Sequence, residues 1–186
     1  MKLNGHSALI VVDAQQGIQD EIHWGGNRNN RCAEKNIEML LGFWRKRSWP
    51  VVIVQHCSNL PHSPFSPGKA GNALMDFIKT RPEEKLIQKS TANAFIRTDL
   101  QTFLEHNDIR TLVVTGFVTN NSVEATARYA GDYGFKTVVI ADATACFDKI
   151  ALDGKKYPAD LVHQLSLANL KDEYASITKT ADIVEQ

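Results

Sequence analysis

Three polar side chains stand where apolar runs end. Asp13 closes ALIVVD (8–13), Lys89 closes KLIQK (85–89), and Ser122 comes shortly after TLVVTG (111–116). A carboxylate, an ammonium and a hydroxyl are parts of nucleophilic acyl chemistry: a base, a cation that steadies negative charge, and an attacking atom. Each also has a plainer reading. Asp13 can cap the segment after it, Lys89 can be a solvated strand end, and Thr119, Asn120, Asn121 and Ser122 are all good helix caps. Yet a carboxylate directly after five aliphatic residues is costly to bury unless paired, and Lys89 is a candidate partner. A nucleophile at a helix start also has outward-pointing backbone N–H groups beside it, and therefore an anion site.

The elements that must position these groups alternate. ALIVVD (8–13), VVIVQH (51–56), KLIQK (85–89), TLVVTG (111–116) and KTVVIAD (136–142) are predicted as strands, and a short ASITKTADIV segment (175–184) adds a sixth. Helices are predicted over 30–47, with Ile37, Leu40, Leu41 and Trp44 on one face, over 98–107 behind a Thr98/Asp99 cap, over 122–134 ending at Gly134, and over 158–174. Continuously apolar strands separated by helices imply a parallel sheet covered on both faces. The expected fold is therefore α/β: one three-layer α/β/α domain over 1–186 with a six-stranded, mostly parallel, Rossmann-like sheet. Ligands of such sheets bind at the carboxyl ends of the strands, where Asp13, Lys89 and Ser122 fall. The one long irregular stretch, HCSNLPHSPFSPGKAGNAL (56–74), carries Pro61, Pro64 and Pro67, and ordered loops of that length are uncommon unless they shape a site.

Composition narrows the partners. Twenty-one basic and 21 acidic side chains in 186 residues leave no net charge, so no electrostatic footprint points to nucleic acid or an anionic membrane. A small-molecule substrate fits better. The apolar run before Asp13 is too short for a signal or membrane segment, which points to a cytoplasmic protein. Cys32, Cys57 and Cys146 lack any metal-binding spacing and are expected as small buried side chains. His163, mid-helix among apolar residues, is expected in core or subunit packing.

The motifs LIVVDAQQG (9–17), HCSNLPHSPFSPGKAGNAL (56–74), KSTANAFIRTDL (89–100), VTGFVTNNSVEATARYAGDYGF (114–135) and IADATACF (140–147) together resemble those of the isochorismatase-like hydrolases, the cysteine hydrolase superfamily that includes nicotinamidases and ureidoacrylate hydrolases. That resemblance implies a triad of Asp13, Lys89 and a nucleophilic cysteine at the position of Ser122. It also implies a cis Phe117–Val118 peptide, with the N–H groups of Val118 and Ser122 forming an oxyanion hole. The implied activity is hydrolysis of a small amide or ureide without a cofactor, in a homo-oligomer (dimer or tetramer). Gln15, Trp24, His56, Asn72, Phe95, Phe117 and Thr119 are the implied or neighbouring substrate-binding residues.

Serine changes that expectation. A thiol is easily activated by a neighbouring cation, whereas a hydroxyl needs a well-placed base. Three explanations of Ser122 stand open: a cysteine replaced to trap substrate, a natural variant with serine chemistry or lost activity, or an isochorismatase-type branch that cleaves a vinyl ether by acid catalysis from the aspartate. A non-catalytic small-molecule-binding member is the remaining alternative. The nicotinamidases of the family carry an Asp-x-His and a further His after the second strand; QHCSNLPHS lacks that spacing, so no metal is expected and nicotinamide is disfavoured as the natural substrate.

Overall fold

The computed structural model describes residues 3–185, so Met1, Lys2 and Gln186 of the expected 1–186 domain lie outside the described residues. Six strands form one sheet: β1 (Ser7–Val12), β2 (Val51–His56), β3 (Lys85–Lys89), β4 (Thr111–Phe117), β5 (Lys136–Ala145) and β8 (Ser176–Thr178). Their order is β3-β2-β1-β4-β5-β8 and every pairing is parallel. The helices are α1 (Glu21–Trp24), α2 (Ala33–Lys46), α3 (Leu100–His106), α4 (Glu124–Asp132), α5 (Ala159–Leu170) and α6 (Thr180–Val184).

Period-two alternation sends each apolar strand to two cores at once. Leu9 and Val11 of β1 pack with Ile37, Leu41 and Trp44 of α2 and Ile183 of α6. Ala8, Ile10 and Val12 pack on the opposite face with Leu104 of α3, Ala127 and Ala130 of α4 and Leu170 of α5. The result is the expected three-layer α/β/α arrangement. Strand order reverses at β1, with β2 on one side and β4 on the other; a crevice at the carboxyl ends opens at such a switch point.

Several boundaries differ from the sequence-based expectation. Only Ser176–Thr178 of the predicted 175–184 strand pairs with β5. Thr180 onward turns into α6, because Asp142 Oδ1 accepts from both Thr180 N and Thr180 Oγ1 at 2.8 Å and Asp182 accepts from Lys179 N. β5 runs three residues past Asp142 to Ala145, with a register shift against β4 between Val114 and Gly116. α5 ends at Leu170 rather than 174, and a short antiparallel ribbon of β6 (Lys149–Ile150) and β7 (Lys156–Tyr157) precedes it. Asp99 makes no capping bond; its carboxylate pairs with Lys85 Nζ at 2.5 Å. Of the cysteines expected to be buried, Cys146 is, Cys57 is half-buried and Cys32 is exposed, since α2 turns its N-cap outward. Burial pushes the Cys146 thiol up to about 12.

Gly116 shows how tightly β4 meets β1. Its φ is +112°, and a Cβ there would lie 2.0 Å from the carbonyl oxygen of Val12, so only glycine lets the chain pass.

Candidate active site

The turn after β1 holds Asp13 at φ +48°, a left-handed conformation sparsely populated by non-glycine residues and concentrated at functional sites. Its side chain is buried. Oδ2 lies 2.8 Å from Lys89 Nζ, and Oδ1 is a buried atom with no hydrogen-bond partner. Lys89 ends β3, two strands from β1, and its side chain reaches across to the floor of the crevice. The ammonium has three hydrogens and four acceptors within reach: Asp13 Oδ2, Thr91 O at 3.0 Å, and Ser122 Oγ and His56 Nδ1, each at 3.2 Å. With His56 Nδ1 bare, at least one hydrogen is shared. The charge is offset by Asp13 while an N–H is aimed at Ser122.

Ser122 is not a helix cap. Thr119–Val123 form a π-helical turn, closed by Val123 N to Val118 O at 3.3 Å, and α4 begins at Glu124. No side chain of the Thr119–Ser122 run caps either helix start; Ser122 Oγ instead accepts from Lys89. The Phe117–Val118 peptide is cis. The turn is braced from behind: Thr119 Oγ1 contacts His163 Nδ1 at 2.9 Å, and Ser166 Oγ donates to Thr119 O and to Glu124. His163 is buried, as expected, and burial lowers its pKa from the ordinary imidazole value.

His56 ends β2 beside Lys89. Burial, and then the Lys89 charge, push its pKa down, with Asp13 acting in the opposite sense. An ammonium only donates, so the contact with Lys89 is a hydrogen bond when Nδ1 is the bare nitrogen. The backbone of His56 is clamped at both ends: its N–H donates to Gln15 Oε1 at 2.7 Å, and its carbonyl accepts from Gln15 Nε2 at 3.0 Å and Asn72 Nδ2 at 2.8 Å.

Above these groups opens a cavity of about 380 Å³. Of the site residues named from the sequence, Asp13, Trp24, His56, Phe117, Val118 and Ser122 line it. Five other anticipated residues do not, Lys89 among them, its side chain buried beneath the floor. Gln15 is fully buried behind the wall, where its amide ties His56 to Asn72. Asn72 is spent on the backbone of His56 and Phe65. Phe95 packs in the core under α4, against Tyr129 and Phe135. Thr119 turns toward His163. The sequence analysis gave no pocket role to Phe65, Ser58, His62, His23 or Asn121, which also face the cavity; the length and proline content of the 56–74 loop were the available signal for the first three. Among the described residues, no group of three or more His, Cys, Asp or Glu side chains could hold a metal ion.

Comparison with known proteins places the chain in a family. The family model of the isochorismatase domain matches residues 7–182. The uncharacterized isochorismatase family protein YrdC of Bacillus subtilis is 42% identical over 177 residues, covering 95% of this chain and 94% of its own. Nicotinamidase 3 of Arabidopsis thaliana is 28% identical, covering 91% of this chain and 82% of its own. A crystal structure of an isochorismatase-family protein from Chromobacterium violaceum superposes with a TM-score of 0.93 at 40% identity, over 99% of this chain and 94% of that one.

Proposed function

From the premise that this chain belongs to the isochorismatase family, we propose that its site hydrolyses C–N bonds of a small amide or ureide through Asp13, Lys89 and residue 122, and that serine at 122 leaves this form weak or inactive. The observation that carries the proposal is the Lys89 ammonium, held 2.8 Å from Asp13 and 3.2 Å from Ser122 Oγ beneath the cavity floor. The amidase named among the relatives, nicotinamidase 3, supports the reaction class.

With cysteine at 122, Asp13 takes the thiol proton and Lys89 stabilises the thiolate. Sulfur then attacks the carbonyl carbon, and the oxyanion is received by the N–H groups of Val118 and residue 122. As the C–N bond breaks, Asp13 returns the proton to the departing nitrogen. Water attacks the thioester, gives its proton to Asp13, and the acid leaves as the thiol re-forms. A serine hydroxyl is a far weaker acid than a thiol, and a carboxylate is a weak base for it. The same frame with oxygen therefore stalls at the first step.

Ser122→Cys tests the reading. Ammonia release from a panel of simple amides and N-carbamoyl compounds should rise by at least about a hundredfold, and Asp13→Asn in the cysteine form should abolish it. Equal turnover by the serine and cysteine forms would refute the nucleophile assignment.

A further inference from the structure

His163 is a buried, titratable side chain that the chemistry above leaves unused. It does not line the cavity. Its Nδ1 lies 2.9 Å from the hydroxyl of Thr119, which opens the π-helical turn that carries Ser122. Thr119 is fully buried, and its carbonyl accepts from Ser166 Oγ at 3.3 Å. His163 and Ser166 stand three positions apart on α5 and so share one face of that helix. Both the side chain and the main chain of the first turn residue are therefore held from α5.

The turn has little else to hold it. A single carbonyl, that of Val118, receives Asn121 N at 3.0 Å and Val123 N at 3.3 Å, and no side chain caps the turn. Such π-helical turns are rare and frequently sit at functional sites. His163, by contrast, has an anchored neighbour. Asn30 Nδ2 lies 3.3 Å from its Nε2 and is fastened to Ala141 O at 2.8 Å and Thr144 O at 2.7 Å, at the end of β5. A hydroxyl donates to a bare ring nitrogen or accepts from a protonated one, so the Thr119 contact holds for either tautomer of the ring.

We propose that His163 is a positioning residue for the attacking atom: through Thr119 it holds the 119–123 turn so that residue 122 stays within reach of Lys89. The hydrolase reading above supplies only what residue 122 attacks; its place beside the ammonium, 3.2 Å away in the serine form, is a feature of the structure. A loosened turn lets the side chain at 122 swing away from Lys89. A thiol there then loses the cation that favours its ionised form.

The test reads a thiol rather than a product. Ser122→Cys supplies it, and its alkylation by iodoacetamide is followed from about pH 6 to 9, across the ordinary thiol range. Mass spectrometry of the peptide containing position 122 separates it from Cys32 and Cys57, which are exposed and half-buried. In that background His163→Leu and Thr119→Val delete the contact from either side. Each should slow alkylation at neutral pH by about five- to tenfold, the scale of one neutral buried hydrogen bond, and raise the pKa of the thiol. His163→Asn, whose amide takes the place of Nδ1, should restore most of the rate. The double variant should be no slower than either single one, since both remove the same contact. Circular dichroism and thermal melts report folding; if His163→Leu does not fold, Thr119→Val, which keeps the side-chain shape, decides. A histidine with a merely structural role would lower the melting temperature and leave the thiol unchanged. Unchanged alkylation in a folded variant, or a double variant slowed by the product of the two single effects, overturns the inference. Amide turnover by the same proteins separates the two readings. Alkylation that depends on His163 with no amide hydrolysed sinks the hydrolase reading alone, whereas amide turnover with kcat and alkylation both indifferent to His163 sinks the positioning role alone.

Discussion

Removing Lys89 and removing the Asp13 charge should have unequal effects on stability, and the structure sets the sign. Asp13 Oδ2 has Lys89 as its bonded side-chain partner, and Oδ1 has none. Lys89→Met leaves a buried carboxylate without a partner, which typically costs about 3–5 kcal/mol. For a chain of this size that is a fall in Tm of about 6–20 °C. Asp13→Asn is milder: the amide oxygen still accepts from Nζ, and Thr91 O, His56 Nδ1 and Ser122 Oγ remain in place, so the loss should be about 1–3 kcal/mol. Urea unfolding of both variants and the parent at pH 7.5, with calorimetric melts alongside, measures the difference. Equal losses, or a larger loss for Asp13→Asn, would refute the partner count on which this rests.

Gly116→Ala should cost about 3 kcal/mol or more, because its Cβ would overlap Val12 O, whereas Gly5→Ala, with nothing within 4 Å, should be nearly silent; equal melting temperatures for the two would contradict the close approach of β4 to β1. His56 and His163 are both held below the ordinary imidazole value of 6.5, chiefly by burial. Their stabilisation is full above about pH 6.5 and is lost as the pH falls toward their lowered folded values, because the unfolded chain binds protons first. The slope is at most about 1.4 kcal/mol per pH unit for each histidine. Urea titrations between pH 7.5 and 5 should show that slope in the parent and a shallower one in His163→Gln.

The α/β layering, the first five strands and the candidate trio of Asp13, Lys89 and Ser122 were legible in the sequence, because a strand buried on both faces must be apolar throughout and a charged residue at its end stands out. Periodicity reports burial along one element and is blind to which elements meet. Phe65 and Phe95 are equally apolar, yet one faces the cavity and the other lies under α4. Gln15 looked like a pocket residue and proved to be a strut that reaches His56, 41 positions away, and Asn72, 57 positions away. The π-helical turn at Thr119–Val123 could not be separated from a capped helix start, since the same small polar residues suit both. That Lys89 would cross two strands to bridge Asp13 and Ser122 was decided only when β3, β2, β1 and β4 came together in that order: a buried ammonium goes where its acceptors are, and those acceptors come from four separate segments of the chain.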